Sequence, residues 1–79
     1  MRTHPSIPSL PQTPLDSSGL LSVGYSAEAS TMEISFRNGS TYRYFGVPLH
    51  IYEALLGASS KGRYFTAAIR TSFPFERLT

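Results

Sequence analysis

Apolar and polar residues alternate in two stretches near the middle of the chain, and a period of two predicts β-strands. These stretches are LLSVGYS, from Leu20, and TMEISF, from Thr31. A third stretch, TYRYF, is rich in residues that are favoured in strands. Because only short turns separate the three, we predict an antiparallel meander. The residues predicted to share faces of the first two strands are Leu21, Val23 and Tyr25, then Met32, Ile34 and Phe36.

The turn before the third strand contains Asn38-Gly39 and admits two pairing registers. A two-residue loop would place both tyrosines of TYRYF opposite the Ile34 face. A three-residue loop, with Gly39 left-handed as a bulge, shifts the pairing by one residue and reverses every face. We choose the second register because it collects the apolar side chains and sets opposite charges across from each other. It pairs Ile34 with Tyr42, Met32 with Tyr44, and Glu33 with Arg43.

The alternation of Arg with aromatic residues in FRNGSTYRYF suggests a platform that stacks nucleotide bases. In the chosen register, however, Tyr42 and Tyr44 face the core and only their hydroxyls reach its rim. The other face then carries Glu33, Ser35 and Arg43. We therefore interpret the alternation mainly as a consequence of strand geometry, with stacking as the alternative.

Two helices are predicted after the strands. GVPLHIYEALLGASS forms the first, with Pro48 at its first helical position and its end near Ala58. SKGRYFTAAIR forms the second, capped by Ser60 or alternatively Ser59. The fold class is therefore α+β: a three-stranded antiparallel β-meander followed by two short helices packed on one face (β-β-β-α-α). The predicted inward residues are Pro48, Ile51, Tyr52, Leu55 and Ser59 in the first helix, with Leu56 on its flank, and Tyr64, Phe65, Ala68 and Ile69 in the second. FPFERL then runs extended against the sheet or helices.

Residues 1–18 have a different composition, with proline at positions 5, 8, 11 and 14. Proline removes backbone donors and restricts the residue before it. We predict a disordered, proline-rich tail that contributes nothing to the core, and a folded domain over residues 19–79. The alternative is a polyproline II segment that docks in an aromatic groove.

Composition narrows the class of protein. The chain has 79 residues, no cysteine and a net charge of +2, so we expect one small domain with an aromatic-rich core and no disulfide. We expect no membrane span, a cytoplasmic location and a monomer. Cations are concentrated in residues 61–79, which hold Lys61, Arg63, Arg70 and Arg77 against Glu76 alone.

The stretch Ser59–Arg63 is the strongest candidate site. Free amides at a helix start favour anions; Gly62 would let a phosphate approach the backbone, and Lys61 and Arg63 would add charge. The alternative is an ordinary helix cap followed by solvated charges. The predicted nucleic-acid-binding set is Lys61, Gly62, Arg63, Arg70 and Arg43.

No catalytic arrangement is indicated. Ser59 or Ser60 with Lys61 lacks a third group to orient a base, and His50 has no evident partner. The five acidic residues are scattered, so we predict neither a carboxylate pair nor a metal site. The expectation is a protein that is not an enzyme and needs no cofactor.

Several of these motifs together resemble the KTSC domain family, named for its occurrence at the C-terminus of some lysyl-tRNA synthetases. The resemblance runs from about Ser22 to Leu78 and rests on VGY, MEISFRNGSTYRYFGVP, IYEALLGASSKGRYF and a final IR with aromatic residues and RL. The resemblance implies a compact, non-enzymatic α+β domain. Because the family also occurs attached to a tRNA-charging enzyme, it suggests RNA as the partner. The alternative function is a protein–protein interaction module that uses the exposed sheet face or the proline tail.

Overall fold

The computed structural model describes residues 10–79. Its strands form one antiparallel sheet in which spatial order follows chain order, so each strand pairs with its sequence neighbours. The strands are β1 (Thr13–Pro14), β2 (Leu20–Ser26), β3 (Thr31–Phe36), β4 (Thr41–Phe45) and β5 (Phe75–Arg77); the helices are α1 (Leu49–Gly57) and α2 (Lys61–Tyr64), which continues as a π-helical turn over Phe65–Ile69.

The α+β class and the central meander are confirmed, but the sheet has five strands where the sequence predicted three. The two additional strands, β1 and β5, contain two and three residues, so they are too short to show a hydrophobic period. Each is held at an edge by a longer neighbour: Thr13 pairs with Val23, and Tyr44 pairs with Phe75. Pro14 fits such an edge position, because an edge strand can spare a backbone donor.

The predicted hairpin register between β3 and β4 is confirmed. Ile34 pairs with Tyr42, Met32 with Tyr44, and Glu33 with Arg43. The Phe36 amide donates to the Ser40 carbonyl at 2.8 Å and closes a three-residue loop. Gly39 has a φ of 96°, the left-handed conformation that this loop requires. The tyrosines of β4 therefore lie on the same face as Ile34.

The start of β2 differs from the prediction. Leu21 was expected to face inward, yet it is 44% exposed while Leu20 is 2% exposed. The pairing with β3 shifts between Leu20 and Ser22. A bulge inserts one unpaired residue and changes which face the preceding side chains occupy. The buried leucine is therefore the one before the bulge.

Both predicted helices are present, with small differences at their starts. Pro48 and Ser59, predicted to share the inward face of the first helix, are exposed because both lie outside its helical residues. Pro48 is extended, with a ψ of 154°, and lies at the N-cap of α1 instead of its first turn. Ser60 caps α2 as predicted, since its hydroxyl accepts a hydrogen bond from the Arg63 amide at 3.4 Å. After Tyr64 the helix widens, and the Arg70 amide donates to the Phe65 carbonyl five residues earlier.

The core lies between the Ile34 face of the sheet and the two helices. A stacked pair of rings, Tyr25 and Tyr52, joins β2 to α1 with centroids 4.7 Å apart. The Tyr25 hydroxyl also donates to the Val47 carbonyl at 2.6 Å, and burial raises the pKa of this phenol. The buried apolar residues are Leu15, Leu20, Val23, Met32, Ile34, Tyr44, Val47, Leu55, Phe65 and Ile69.

The part of the predicted tail that the structure describes, residues 10–18, is joined to the domain. Leu15 is 5% exposed and belongs to the core, and its amide donates to the Leu21 carbonyl at 2.9 Å. The prediction that this segment adds nothing to the core is therefore wrong for Leu15. The physical reason is that one well-placed apolar side chain beside an edge strand can outweigh a proline-rich composition. Residues 1–9 lie outside the described residues, so the prediction made for them is not addressed.

We predict that Leu15→Ala lowers the free energy of unfolding by about 2–4 kcal/mol, because it removes a buried side chain and leaves a cavity. The matched control is Leu21→Ala, which removes the same atoms from an exposed position and should cost less than about 1 kcal/mol. Urea unfolding followed by circular dichroism measures both. Equal effects of the two substitutions would show that Leu15 does not contribute to the core.

Candidate functional site

The predicted site residues divide between two faces of the domain. Lys61, Gly62 and Arg63 form the first turn of α2, and Arg70 follows its π-helical turn. These four lie on the helix side of the sheet. Arg43 belongs to β4 and points to the opposite face, because it alternates with the two inward tyrosines.

Lys61 is partly engaged within the protein. Its Nζ donates to the Ala58 carbonyl at 2.9 Å, where α1 has just ended. The side chain is half-buried beside a polar depression of about 300 Å³ that also includes Asp16. Lys61 therefore stabilises the junction of the helices, while its remaining ammonium protons stay available to a ligand.

Arg63 and Arg70 are both exposed, as predicted. Within residues 10–79, the one salt bridge joins Arg43 to Glu33, so neither exposed guanidinium is neutralised by a carboxylate of this part of the chain. The two differ in position, because Arg70 lines a groove that Arg63 does not reach. Both guanidinium groups are therefore accessible to an anionic partner.

That groove runs between the sheet and the second helix and has a volume of about 610 Å³. Gly62 also lines it, and a methyl group added at Gly62 would meet no atom within 4 Å, so the surface above this residue is open. The apolar lining consists of Leu20, Phe36, Tyr42, Tyr44, Phe65 and Phe75.

Five aromatic rings form a continuous cluster along the groove. Phe65 meets Tyr44 edge-on with centroids 5.6 Å apart and anchors the second helix on the sheet. Tyr42 and Phe75 lie farther out, with their centroids separated by 5.5 Å. Arg77 is placed over the Tyr42 ring, 5.7 Å from its centroid, a distance at which a cation is attracted to the face of a ring.

The charge of Arg70 affects the pKa of Tyr44, a tyrosine that lines the groove. Burial raises the pKa of the Tyr44 phenol and Tyr42 raises it further, while the positive charge of Arg70 acts in the opposite direction. Arg70 and Tyr44 both line the groove. An anion bound at the mouth of the groove would lie within reach of this charge.

Arg43 does not join this surface. It is 7% exposed, and its Nε donates to Glu33 Oε2 at 3.0 Å, while Nη2 makes a second contact with the same oxygen. Glu33 is 3% exposed. The predicted cross-strand pair is therefore present but buried, and a buried guanidinium engaged by a carboxylate is poorly placed to meet a phosphate. The structure indicates a role in the fold for Arg43.

The face of the sheet that carries this ion pair is partly covered by the chain that leads into β1. The Leu10 amide donates to Glu33 Oε1 at 3.4 Å. A methyl group added at Gly24 would lie 2.8 Å from the Pro11 carbonyl oxygen and 2.9 Å from Leu10 Cβ, so Gly24 allows the close approach of this segment. The open sheet face expected for protein docking is correspondingly reduced.

The sequence did not identify Phe75 as part of the groove or Arg77 as a neighbour of its Tyr42 ring. Both were assigned to an extended C-terminal segment without a defined partner. A three-residue strand gives no periodic signal, but the alternation of Phe75 and Arg77 around Glu76 was visible. Pairing of β5 with β4 turns the first two toward the tyrosines and places Glu76 beside Arg43.

In the part of the chain that the structure describes, no helix has the length and apolar character needed to cross a bilayer. Within the same residues, no three His, Asp or Glu side chains come together in a way that could hold a metal ion.

The fold and the motifs together identify the family. The sequence model of the KTSC domain matches residues 16–73, which is most of the chain. This chain belongs to the KTSC domain family, as its motifs indicated.

Related proteins agree with this assignment. A crystal structure of a KTSC domain protein from Yersinia pestis superposes with a TM-score of 0.84 at 36% identity, covering 90% of this chain and 100% of that one. An uncharacterized protein from Stutzerimonas stutzeri is 43% identical over 56 residues, which span 71% of this chain and 79% of that protein. A lysine–tRNA ligase from Trichormus variabilis is 42% identical over 55 residues, which span 70% of this chain and 10% of the ligase.

We predict that Arg43→Ala lowers the free energy of unfolding by about 3 kcal/mol or more, because it leaves the Glu33 carboxylate buried without its cation. Arg63→Ala is the matched control, since it removes the same side chain from an exposed position and should change stability by about 0.5 kcal/mol or less. Denaturant unfolding at neutral pH measures both variants. If Arg43→Ala cost no more than Arg63→Ala, the buried pair would have no structural role.

Proposed function

We propose that this domain is a non-catalytic, cytoplasmic nucleic-acid-binding module, with RNA as its ligand, that contacts phosphates through the cations of its second helix. The observation that carries the proposal is the exposure of Arg63 and Arg70 on one side of the domain, with no carboxylate partner among residues 10–79. Lys61 and the open surface at Gly62 complete this side. The module acts as a monomer and needs no cofactor.

The distribution of charge supports an anionic partner. Of the cations on β4 and the second helix, Arg43 is neutralised by Glu33 inside the protein, whereas Arg63 and Arg70 face solvent. Phosphate contacts by such side chains dominate non-specific nucleic-acid affinity and carry little sequence information. We therefore expect weak sequence preference and strong dependence on salt.

The choice of RNA draws on the relatives. A segment like this domain occurs in a lysine–tRNA ligase, a protein whose named substrate is an RNA, and a binding domain is a natural addition to such an enzyme. A protein–protein interaction module is the competing function. It receives less support, because residues 10–12 cross the sheet face that was expected to dock a protein.

The test is the salt dependence of binding to a labelled single-stranded RNA of about twelve nucleotides, measured by fluorescence anisotropy. Each lost phosphate contact reduces the slope of log K against log salt by about 0.7 for a single strand. We expect Arg63→Ala and Arg70→Ala each to weaken binding and to lower the slope by about this amount. Lys61→Ala should act in the same direction, since its ammonium group retains free donors.

The control is Ala27→Glu, which changes the net charge by the same one unit at an exposed turn between β2 and β3. It should leave the slope close to that of the unmodified domain. An unchanged slope in the triple Lys61, Arg63 and Arg70 variant would place the contact surface elsewhere. Failure of the unmodified domain to bind any RNA or DNA at low salt would refute the proposal and favour the protein-interaction function.

A further inference from the structure

The aromatic groove offers ring surface to a ligand as well as charge. Phe75 is 55% exposed although it touches both Tyr42 and Tyr44, with centroids 5.5 and 5.6 Å away. When a flat apolar group covers such an exposed ring, apolar surface of both is removed from water, and this favours binding. The part of the groove near Phe75 is therefore suited to a planar ligand.

The remaining lining suits the edges of a planar heterocycle. Side-chain amide and hydroxyl groups border the groove at Asn38, Ser40, Thr66 and Thr71. The Asn38 Oδ1 accepts from the Ser40 amide and hydroxyl at 3.0 and 2.7 Å, which leaves its amino group free to donate. A volume of about 610 Å³ lies within the range of small-molecule sites, so one or two nucleotides can enter.

The charges around the groove have one sign. Arg70 lines it and Arg77 lies over the Tyr42 ring, and no Asp or Glu is among its lining residues within the described part of the chain. These features match the parts of a nucleotide. The exposed ring can stack on the base, the polar groups can meet the base edges, and the cation can bind the phosphate. Bases of a duplex have their faces covered by neighbours, so the fitting partner is an unpaired base.

We propose that the groove seats one unpaired nucleobase of a single-stranded RNA, stacked on Phe75 beside Tyr42, with the adjacent phosphate held by Arg70. This deepens the proposed function and rests on it, because it names the structural class of nucleic acid and the residue that contacts its bases. Phe75 supplies binding that depends on the base and not on salt. Arg70, together with Lys61 and Arg63, supplies the part that depends on salt.

The experiment compares two single strands of equal length and charge, one carrying bases and the other abasic at the central positions. The unmodified domain should bind the base-carrying strand more tightly, by about fivefold to a hundredfold for one stacked base. Phe75→Leu should remove this preference while leaving the salt slope unchanged, and Phe75→Tyr should retain it. Leu49→Ala, which removes apolar surface from another exposed position, should behave like the unmodified domain.

The outcomes separate the two proposals. If both strands bind equally and with a steep salt dependence, the base seat is refuted while phosphate binding stands. A parallel titration with adenosine 5′-monophosphate covers the case in which no strand binds. Shifts of the Phe75 and Tyr42 ring resonances would then support a base seat for free nucleotides and refute the proposed RNA function, and their absence would refute both.

Discussion

The left-handed backbone at Gly39 determines which face each side chain of the central hairpin occupies. Its φ of 96° permits a three-residue loop, and the loop sets the pairing of Ile34 with Tyr42 and of Glu33 with Arg43. A slip of one residue would turn every side chain of β4 to the other face. The core, the buried ion pair and the aromatic groove all depend on this single register.

The two faces that the register creates have different roles. On one face, the Glu33–Arg43 pair is removed from solvent, and Glu33 accepts a backbone hydrogen bond from Leu10. Removing one partner of such a buried pair is costly. On the other face, β4, β5 and the second helix surround the groove, with Arg70 at its side. Arg63 and Arg70 are exposed on this second side, which is why we assign ligand binding to it.

The sequence predicted the structure correctly where the local pattern of a segment agreed with the burial of its residues. Alternation and opposite charges selected the hairpin register, and helical spacing identified Phe65 and Ile69 as buried. It was insufficient where single contacts over long sequence distance decide the structure. Leu15 packs into the core despite a proline-rich context, and β5 acquires its role only by pairing with β4. Of the predicted site residues, Arg63 and Arg70 are exposed as expected, whereas the burial of Arg43 depends on chain segments that periodicity does not reveal.

Our central claim is that ligands bind on the face that carries the aromatic groove. The face that carries the Glu33–Arg43 pair has a structural role. Titration of ¹⁵N-labelled domain with a short single-stranded RNA at low salt tests this claim most directly, because the backbone N–H of each non-proline residue reports separately. We predict that the largest shift changes occur at Arg63, Arg70 and Phe75, with small changes at Gly24 and Glu33. Shift changes concentrated at Gly24 and Glu33, with little effect along the second helix, would contradict the claim.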